Sequence, residues 1–178
     1  MIQIISLLVE NRPGALARIT GVLSARGFNI ESLTVAPTED AALSRMTIVV
    51  DVADNQRVQV VKQLNKIVNV VQATDLSEAP LVRRELALIK VQVDSANRQA
   101  LLKEAEIFRA RVVDASPTAY TLEVTGDTEK LEAFIELLRS YGKLEVVRSG
   151  ALALARTPKA RAADTPDLAK EQEMATTN

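Results

Sequence analysis

Hydrophobic positions along this chain change period several times, and each change marks a new element. From Ile2 to Val9 nearly every residue is β-branched or leucine, which predicts a largely buried strand. The next segment repeats at helical spacing. Leu16, Ile19, Val22 and Leu23 share one face, Pro13 suits a first helical position, and Gly27 stands where a left-handed cap belongs, so a helix is predicted from Pro13 to Arg26. "FNIESLTVAP" and "LSRMTIVVDV" read as two antiparallel strands joined by the polar link "TEDAA". Asp54-Asn55 then starts a second helix carrying Val58, Val61, Leu64 and Ile67, and "VNVVQATDL" supplies a fourth strand.

After a polar, proline-containing stretch at 78–84, read as a linker, the same order returns. "ELALIKVQV" is a strand, and Leu101, Ala105 and Phe108 share a helical face. "RVVDA" and "YTLEVTG" flank a Ser116-Pro117-Thr118 turn, Asp127 starts a helix with Leu131, Phe134, Ile135 and Leu138, and "KLEVVRSGALALAR" closes as one strand. Two βαββαβ units predict an α+β chain of two consecutive ferredoxin-like domains, residues 1–77 and 85–156, each an antiparallel sheet with two helices on one face. The stretch 157–178 is rich in Ala, Thr, Pro, Lys and Glu, buries too little to offset its ordering entropy, and is expected to be a disordered tail. Strands of the first unit are apolar at nearly every position, so the sheet face away from the helices must be covered. A second copy in a homodimer through the first unit is the expected cover, and the chain's own second unit is the alternative.

Composition removes several functions. With 22 Lys+Arg against 23 Asp+Glu the formal net charge is −1, so no basic footprint draws the chain to nucleic acid or an anionic membrane. It contains no histidine and no cysteine, which eliminates thiol nucleophiles, disulfides, the usual zinc ligand sets and the commonest neutral-pH proton carrier. No catalytic residue and no metal site are expected. The chain opens directly into a strand rather than a basic-then-apolar signal and has no apolar run of membrane-spanning length, so it is read as soluble and cytoplasmic. The paired carboxylates Glu39-Asp40 and Glu104/Glu106 fall on a hairpin tip and an exposed helix side, and read as solvated charges.

One glycine asks for a reason. Gly14 lies at the start of the first helix, where alanine would serve stability better. A helix N-terminus presents unpaired N–H groups and a partial positive charge, and a bare position leaves room for a carboxylate or phosphate over the amides of Gly14, Ala15 and Leu16. Asn11, just upstream, can then hold a ligand amino group. Asn29 and Ile30, entering the next strand, can reach this loop from a partner copy. The plainer reading makes Asn11 a turn residue, Gly14 an accident of the helix start and Asn29 a strand-entry residue. A phosphate loop is disfavoured, because one glycine stands where several are needed and no Gly-Lys-Ser/Thr follows. In the second unit "VDSANRQALLKEA" has no glycine at the helix start, so it should lack an equivalent site.

The segment "LLVENRPGALARITGVLSARGFNIESLTVAPTEDAALSRMTIVV" resembles the N-terminal ACT domain of the regulatory small subunits of acetolactate synthase, also called acetohydroxyacid synthase. "RELALIKV", "IFRARVVD" and "LEAFIELLRSYGKLEVVRSGALALAR" resemble that family's C-terminal domain, so the likeness runs over about residues 1–156. The resemblance implies a non-catalytic subunit that binds a separate catalytic large subunit using thiamine diphosphate, Mg and FAD, raises its activity, and confers feedback inhibition by valine or a related branched-chain amino acid. No cofactor is expected in this chain. The resemblance also puts the effector at the interface of two ACT domains, on Asn11, Gly14, Ala15 and Leu16 of one chain and Asn29 and Ile30 of the other. Arg12-Pro13 stiffens the approach to Gly14. Two rivals stand beside this reading: a free-standing amino-acid sensor acting on another protein, and an RNA-binding ferredoxin-like module. The second is weakened by an aromatic content of 3% without tryptophan.

Overall fold

The computed structural model describes residues 1–157; the tail expected at 157–178 lies outside them except for Thr157. Two βαββαβ units follow one another. The first comprises β1 (Ile2–Glu10), α1 (Ala15–Ser24), β2 (Asn29–Pro37), β3 (Leu43–Asp51), α2 (Arg57–Leu64) and β4 (Val70–Asp75), with sheet order β2-β3-β1-β4 and every pairing antiparallel. The second comprises β5 (Leu81–Gln92), α3 (Arg98–Ile107), β6 (Arg111–Ala115), β7 (Ala119–Gly126), α4 (Thr128–Leu138), β8 (Leu144–Arg148) and β9 (Leu152–Ala155), in the order β6-β7-β5-β8, with β9 paired to the first residues of β5.

Each unit has its own core between sheet and helices. Ile5, Leu7, Met46, Ile48 and Val50 meet Ile19, Leu23, Val60 and Leu64 in the first. Ile89, Val91, Leu122 and Val124 meet Leu101, Leu131, Phe134 and Leu138 in the second, where Phe108 stacks on Phe134 with ring centroids 4.6 Å apart. Asp127 caps α4 as expected, its carboxylate accepting from the Lys130 N–H at 2.9 Å. Gly27, at φ +73°, closes α1: Phe28 N–H donates to Leu23 O and Gly27 N–H to Ser24 O, the paired bonds of a left-handed helix end.

The sequence expectations need correction at four places. Val58 does not face the core but is 66% exposed, and Val60 takes the place beside Leu64. A 3₁₀ turn at Asp54–Gln56 precedes α2, and within the helix Val60, four residues before Leu64, shares its face, whereas Val58, six before it, falls well away from it. The stretch 78–84 is not all linker, because β5 begins at Leu81 and its first four residues pair with β9. The closing strand is two strands, broken at Ser149–Ala151, with Gly150 at φ +80° making the turn. Finally, the chain's own second unit covers part of the open face of the first sheet. Ile4 and Val49, which point away from the helices, are 7% and 3% exposed beneath Leu76, Ala151, Leu81 and Ala153. Thr34 Oγ1 donates to Ala151 O at 3.0 Å, and a side chain on Gly150 would press on Ser32 and Thr34 at 3.2–3.3 Å. The alternative cover is therefore present, and an apolar open face no longer argues by itself for a second copy.

Gly142 lies against the end of β5, where an added Cβ would sit 2.1 Å from the carbonyl oxygen of Gln92, a backbone atom that cannot swing aside. Gly142→Ala is expected to lower stability by about 1–3 kcal/mol, read as an earlier urea midpoint. Asp75 sits in a polar cluster beside β1. Burial pushes its carboxyl pKa up, but hydrogen bonds from Ser77 Oγ (2.6 Å), Ser77 N–H (2.9 Å) and Gln3 (2.7 Å), with the Arg57 guanidinium at 3.3 Å, outweigh this and hold it below the ordinary value. A depressed carboxyl pKa stabilises the fold above its unfolded value, about 3.9, and that contribution disappears as pH falls through the lower folded value. Wild type should therefore lose stability relative to Asp75→Asn in an acid titration below about pH 4, while the two differ by a constant amount at higher pH.

Candidate functional site

The loop between β1 and α1 is built by hydrogen bonds that cross the unit. Asn11 N–H donates to Ala42 O at 2.8 Å and Asn11 Nδ2 to Ala41 O at 3.0 Å, tying the loop to the β2–β3 hairpin. On its other side Glu10 accepts from Asn69 Nδ2 at 2.8 Å, and Arg18 donates to Asn69 Oδ1 at 3.0 Å. Asn69 is thus a buried bridge between loop, helix and β4. As one polar residue in a short helix-to-strand turn it carried no sequence signal for this role.

Arg12-Pro13-Gly14-Ala15 is a β-turn rather than the first helical turn. Ala15 N–H donates to Arg12 O at 3.2 Å, proline holds the second position, and Gly14 holds the third at φ +83°, ψ −10°, the type II pattern. The helix accordingly starts at Ala15, two residues later than predicted, with Gly14 as its cap residue. The glycine is there because this turn needs a positive φ. The room expected above it is also real, since nothing lies within 4 Å of where its Cβ would be.

The expected site residues divide accordingly. Asn11 and Gly14 are exposed, and Leu16 turns outward at 41% exposure. Ala15 is buried and its N–H is engaged in the turn, so it is not an open donor. The N–H groups of Gly14, Leu16 and Ala17 have no backbone acceptor among the described residues, the ordinary condition of a first helical turn. With the Asn11 amide nitrogen committed to Ala41, its Oδ1 has no donor among the described residues.

Asn29 and Ile30 are elsewhere. In the sheet register Asn29 lies opposite Asp51, which lies opposite Ile2 in turn, whereas Glu10 lies opposite Leu43. Eight residues of β3 separate these ends, about 26 Å at strand spacing. One chain therefore does not bring the two halves together. Asn29 is exposed and bonds to Glu31, while the Ile30 side chain packs against the core and offers only its backbone to a neighbour. The pair Glu39-Asp40 is exposed, with Asp40 accepting from Ala42 N–H at 2.9 Å to shape the hairpin tip; Glu106 is exposed and Glu104 half-buried.

At the matching place in the second unit, Asp94 accepts from Asn97 N–H at 2.8 Å, so the approach to α3 already carries the chain's own carboxylate. No helix among the described residues is long and apolar enough to cross a membrane.

Comparison with known proteins adds identity to this geometry. Residues 5–72 match the AHAS small subunit-like ACT domain, and residues 84–157 match a domain described as the small subunit of acetolactate synthase. The chain is 47% identical over 155 residues to the acetolactate synthase small subunit of Mycolicibacterium smegmatis, covering 87% of this chain and 91% of that one. It is 44% identical over 160 residues to the acetolactate synthase isozyme 3 small subunit of Salmonella typhimurium, covering 89% and 98%. The crystal structure of the small subunit from Thermotoga maritima superposes with a TM-score of 0.79 at 38% identity, over 88% of this chain and 98% of that one.

Proposed function

The chain belongs to the family of acetolactate synthase small subunits, and on that premise we propose that it regulates a separate catalytic large subunit of the enzyme. In this reading it raises the large subunit's activity and makes it sensitive to a branched-chain amino acid, valine first, in the cytoplasm. Thiamine diphosphate, Mg and FAD belong to the large subunit.

The observation that carries the effector site is the position of β2 at the sheet edge. Two copies joined antiparallel through this edge, turning about Leu33, place Asn29 of one chain beside Pro37 of the other. Pro37 ends at the hairpin whose Ala41 and Ala42 carbonyls hold Asn11. The strand start of one copy then meets the loop of its partner, and the two halves separated along one sheet become one site. The effector's carboxylate would rest on the N–H groups of Gly14, Leu16 and Ala17, its ammonium on Asn11 Oδ1, and its apolar side chain against Leu16 and the partner's strand. This homodimer is supported by the divided site rather than by an uncovered apolar face.

Reconstitution tests the reading. Adding the chain to its large subunit should raise acetolactate formation, and valine, leucine or isoleucine should then lower it; the chain alone should form none. An unchanged rate across a broad excess of the chain would refute the regulatory role. Activation without response to any amino acid would leave activation standing and refute the effector site.

A further inference from the structure

The helix α3 ends as α1 does, with one difference. Ala110 N–H donates to Ala105 O at 2.7 Å and Arg109 N–H to Glu106 O at 2.9 Å, the same pair of bonds that Phe28 and Gly27 make in the first unit. The left-handed residue, however, is Arg109, at φ +53°, where its counterpart is glycine, and it is the only described non-glycine residue with positive φ. A side chain held where glycine serves stability better points to a role for the side chain. Arg109 borders a concavity of about 500 Å³ with Arg84, Arg111 and Lys130, against only Glu123 and Asp127. Arg111 pairs with Glu123, and the Asp127 carboxylate is committed to capping α4. Arg84 donates only to the Arg83 carbonyl and Lys130 Nζ only to the Thr125 carbonyl, and Arg109 has no side-chain partner among the described residues. Among the described residues these three cations form no salt bridge, and four cations against two carboxylates leave the concavity with a net positive charge in a chain whose net charge is −1. The neighbouring edge strand β6 is exposed at every residue, with Val112 and Val113 at 43% and 50% and Ile107, ending α3, at 72%.

Resting on the reading above, we propose that this basic concavity and the apolar edge beside it dock an extended acidic segment of the catalytic large subunit. The unpaired cations complement its carboxylates, and Ile107, Val112 and Val113 supply the contact that holds it once steered into place. A free oxyanion fits less well, because the cations are spread along an edge rather than converging in an enclosed cradle. A nucleic acid fits less well too, since the concavity contains two carboxylates and no aromatic side chain on which a base could stack.

The test uses full-length chains and the large subunit, following the concentration needed for half-maximal activation at low and high salt. Arg109→Gly should melt at a higher temperature than wild type, because it relieves the backbone, yet need about threefold more chain at low salt. Arg84→Glu with Arg109→Gly should need about tenfold more, with the gap closing as salt rises, while Arg109→Lys stays near wild type. Amino-acid binding to the isolated chains, measured by calorimetry, should be unchanged in all of them. A double variant within twofold of wild type at low salt overturns the docking surface, as does a double variant that binds the large subunit normally but fails to activate it. Wild type that neither binds nor activates overturns the regulatory reading itself, and this surface with it.

Discussion

Gly14→Asp is expected to abolish feedback inhibition while leaving activation of the catalytic subunit intact. The fold should accept the change. Nothing lies within 4 Å of the new Cβ, and aspartate enters the left-handed region more readily than most residues, at a cost of about 1–2 kcal/mol that its favourable position at a helix N-terminus partly offsets. Effector binding should not survive, because a fixed carboxylate would stand over the N–H groups that the effector's own carboxylate needs. In the second unit a carboxylate already stands nearby, because Asp94, three residues before the cap residue of α3, accepts from the Asn97 N–H. An effector acting at about 0.1–1 mM has only about 4–5.5 kcal/mol of binding free energy. Helix-end stabilisation of an anion contributes up to about 2 kcal/mol of this, and repulsion between two carboxylates adds to the loss. The inhibition midpoint should therefore leave the useful concentration range. Titration of the reconstituted enzyme with valine checks it, and an unshifted midpoint would remove the effector from this helix end.

Phe134→Ala is expected to have the largest effect on stability. Phe134 is fully buried at the centre of the second core and stacked on Phe108, so truncation leaves a cavity and costs about 3–5 kcal/mol. Against a typical total of about 5–15 kcal/mol, this is enough to populate an unfolded second unit near physiological temperature. Because the two units have separate cores, amide protection should fall over α3, α4 and β5–β8 and persist over β1, β3 and α1. Activation should be lost with it. Hydrogen exchange resolved along the chain checks the result; equal loss of protection in both units would mean that the junction around Ala151 couples them into one cooperative body.

The order of elements was legible in the sequence because strand and helix periods alternate cleanly and both copies obey the same pattern. What escaped it was phase and turn chemistry. Val58 and Val60 are equally apolar, and a three-residue spacing carried through Val58, Val61 and Leu64 drifts about 60° per step around the helix, so Val60, four residues before Leu64, is the one that faces inward. Pro13 suits a first helical position and the second position of a type II turn alike, so residue type does not separate the two, and a glycine beside it fits open space and a positive φ equally well. Leu81–Arg84 read as linker because they follow a proline and end in two arginines, yet they pair with a strand some seventy residues away, a relation no local pattern contains. Asn11, Gly14 and Leu16 do lie together at the start of α1, but what holds Asn11 there is the backbone carbonyls of Ala41 and Ala42, which any residue would supply.

In the proposed dimer each effector site is shared between two copies, and complementation of binding between variants tests that arrangement. Gly14→Asp destroys the loop half of a site, and Asn29→Trp fills the strand half, so neither homodimer should bind the effector. When the two variants are mixed and allowed to exchange subunits, a mixed dimer carries both defects in one site and leaves the other wholly wild type. Calorimetric titration of the equal mixture with valine should therefore recover roughly a quarter of the wild-type stoichiometry at wild-type affinity, since about half of the dimers are mixed and each has one intact site of two. A mixture that exchanges subunits, as shown by differently tagged copies purifying together, yet binds no more effector than the separate variants, would contradict a site built from the α1 loop of one chain and the β2 start of its partner.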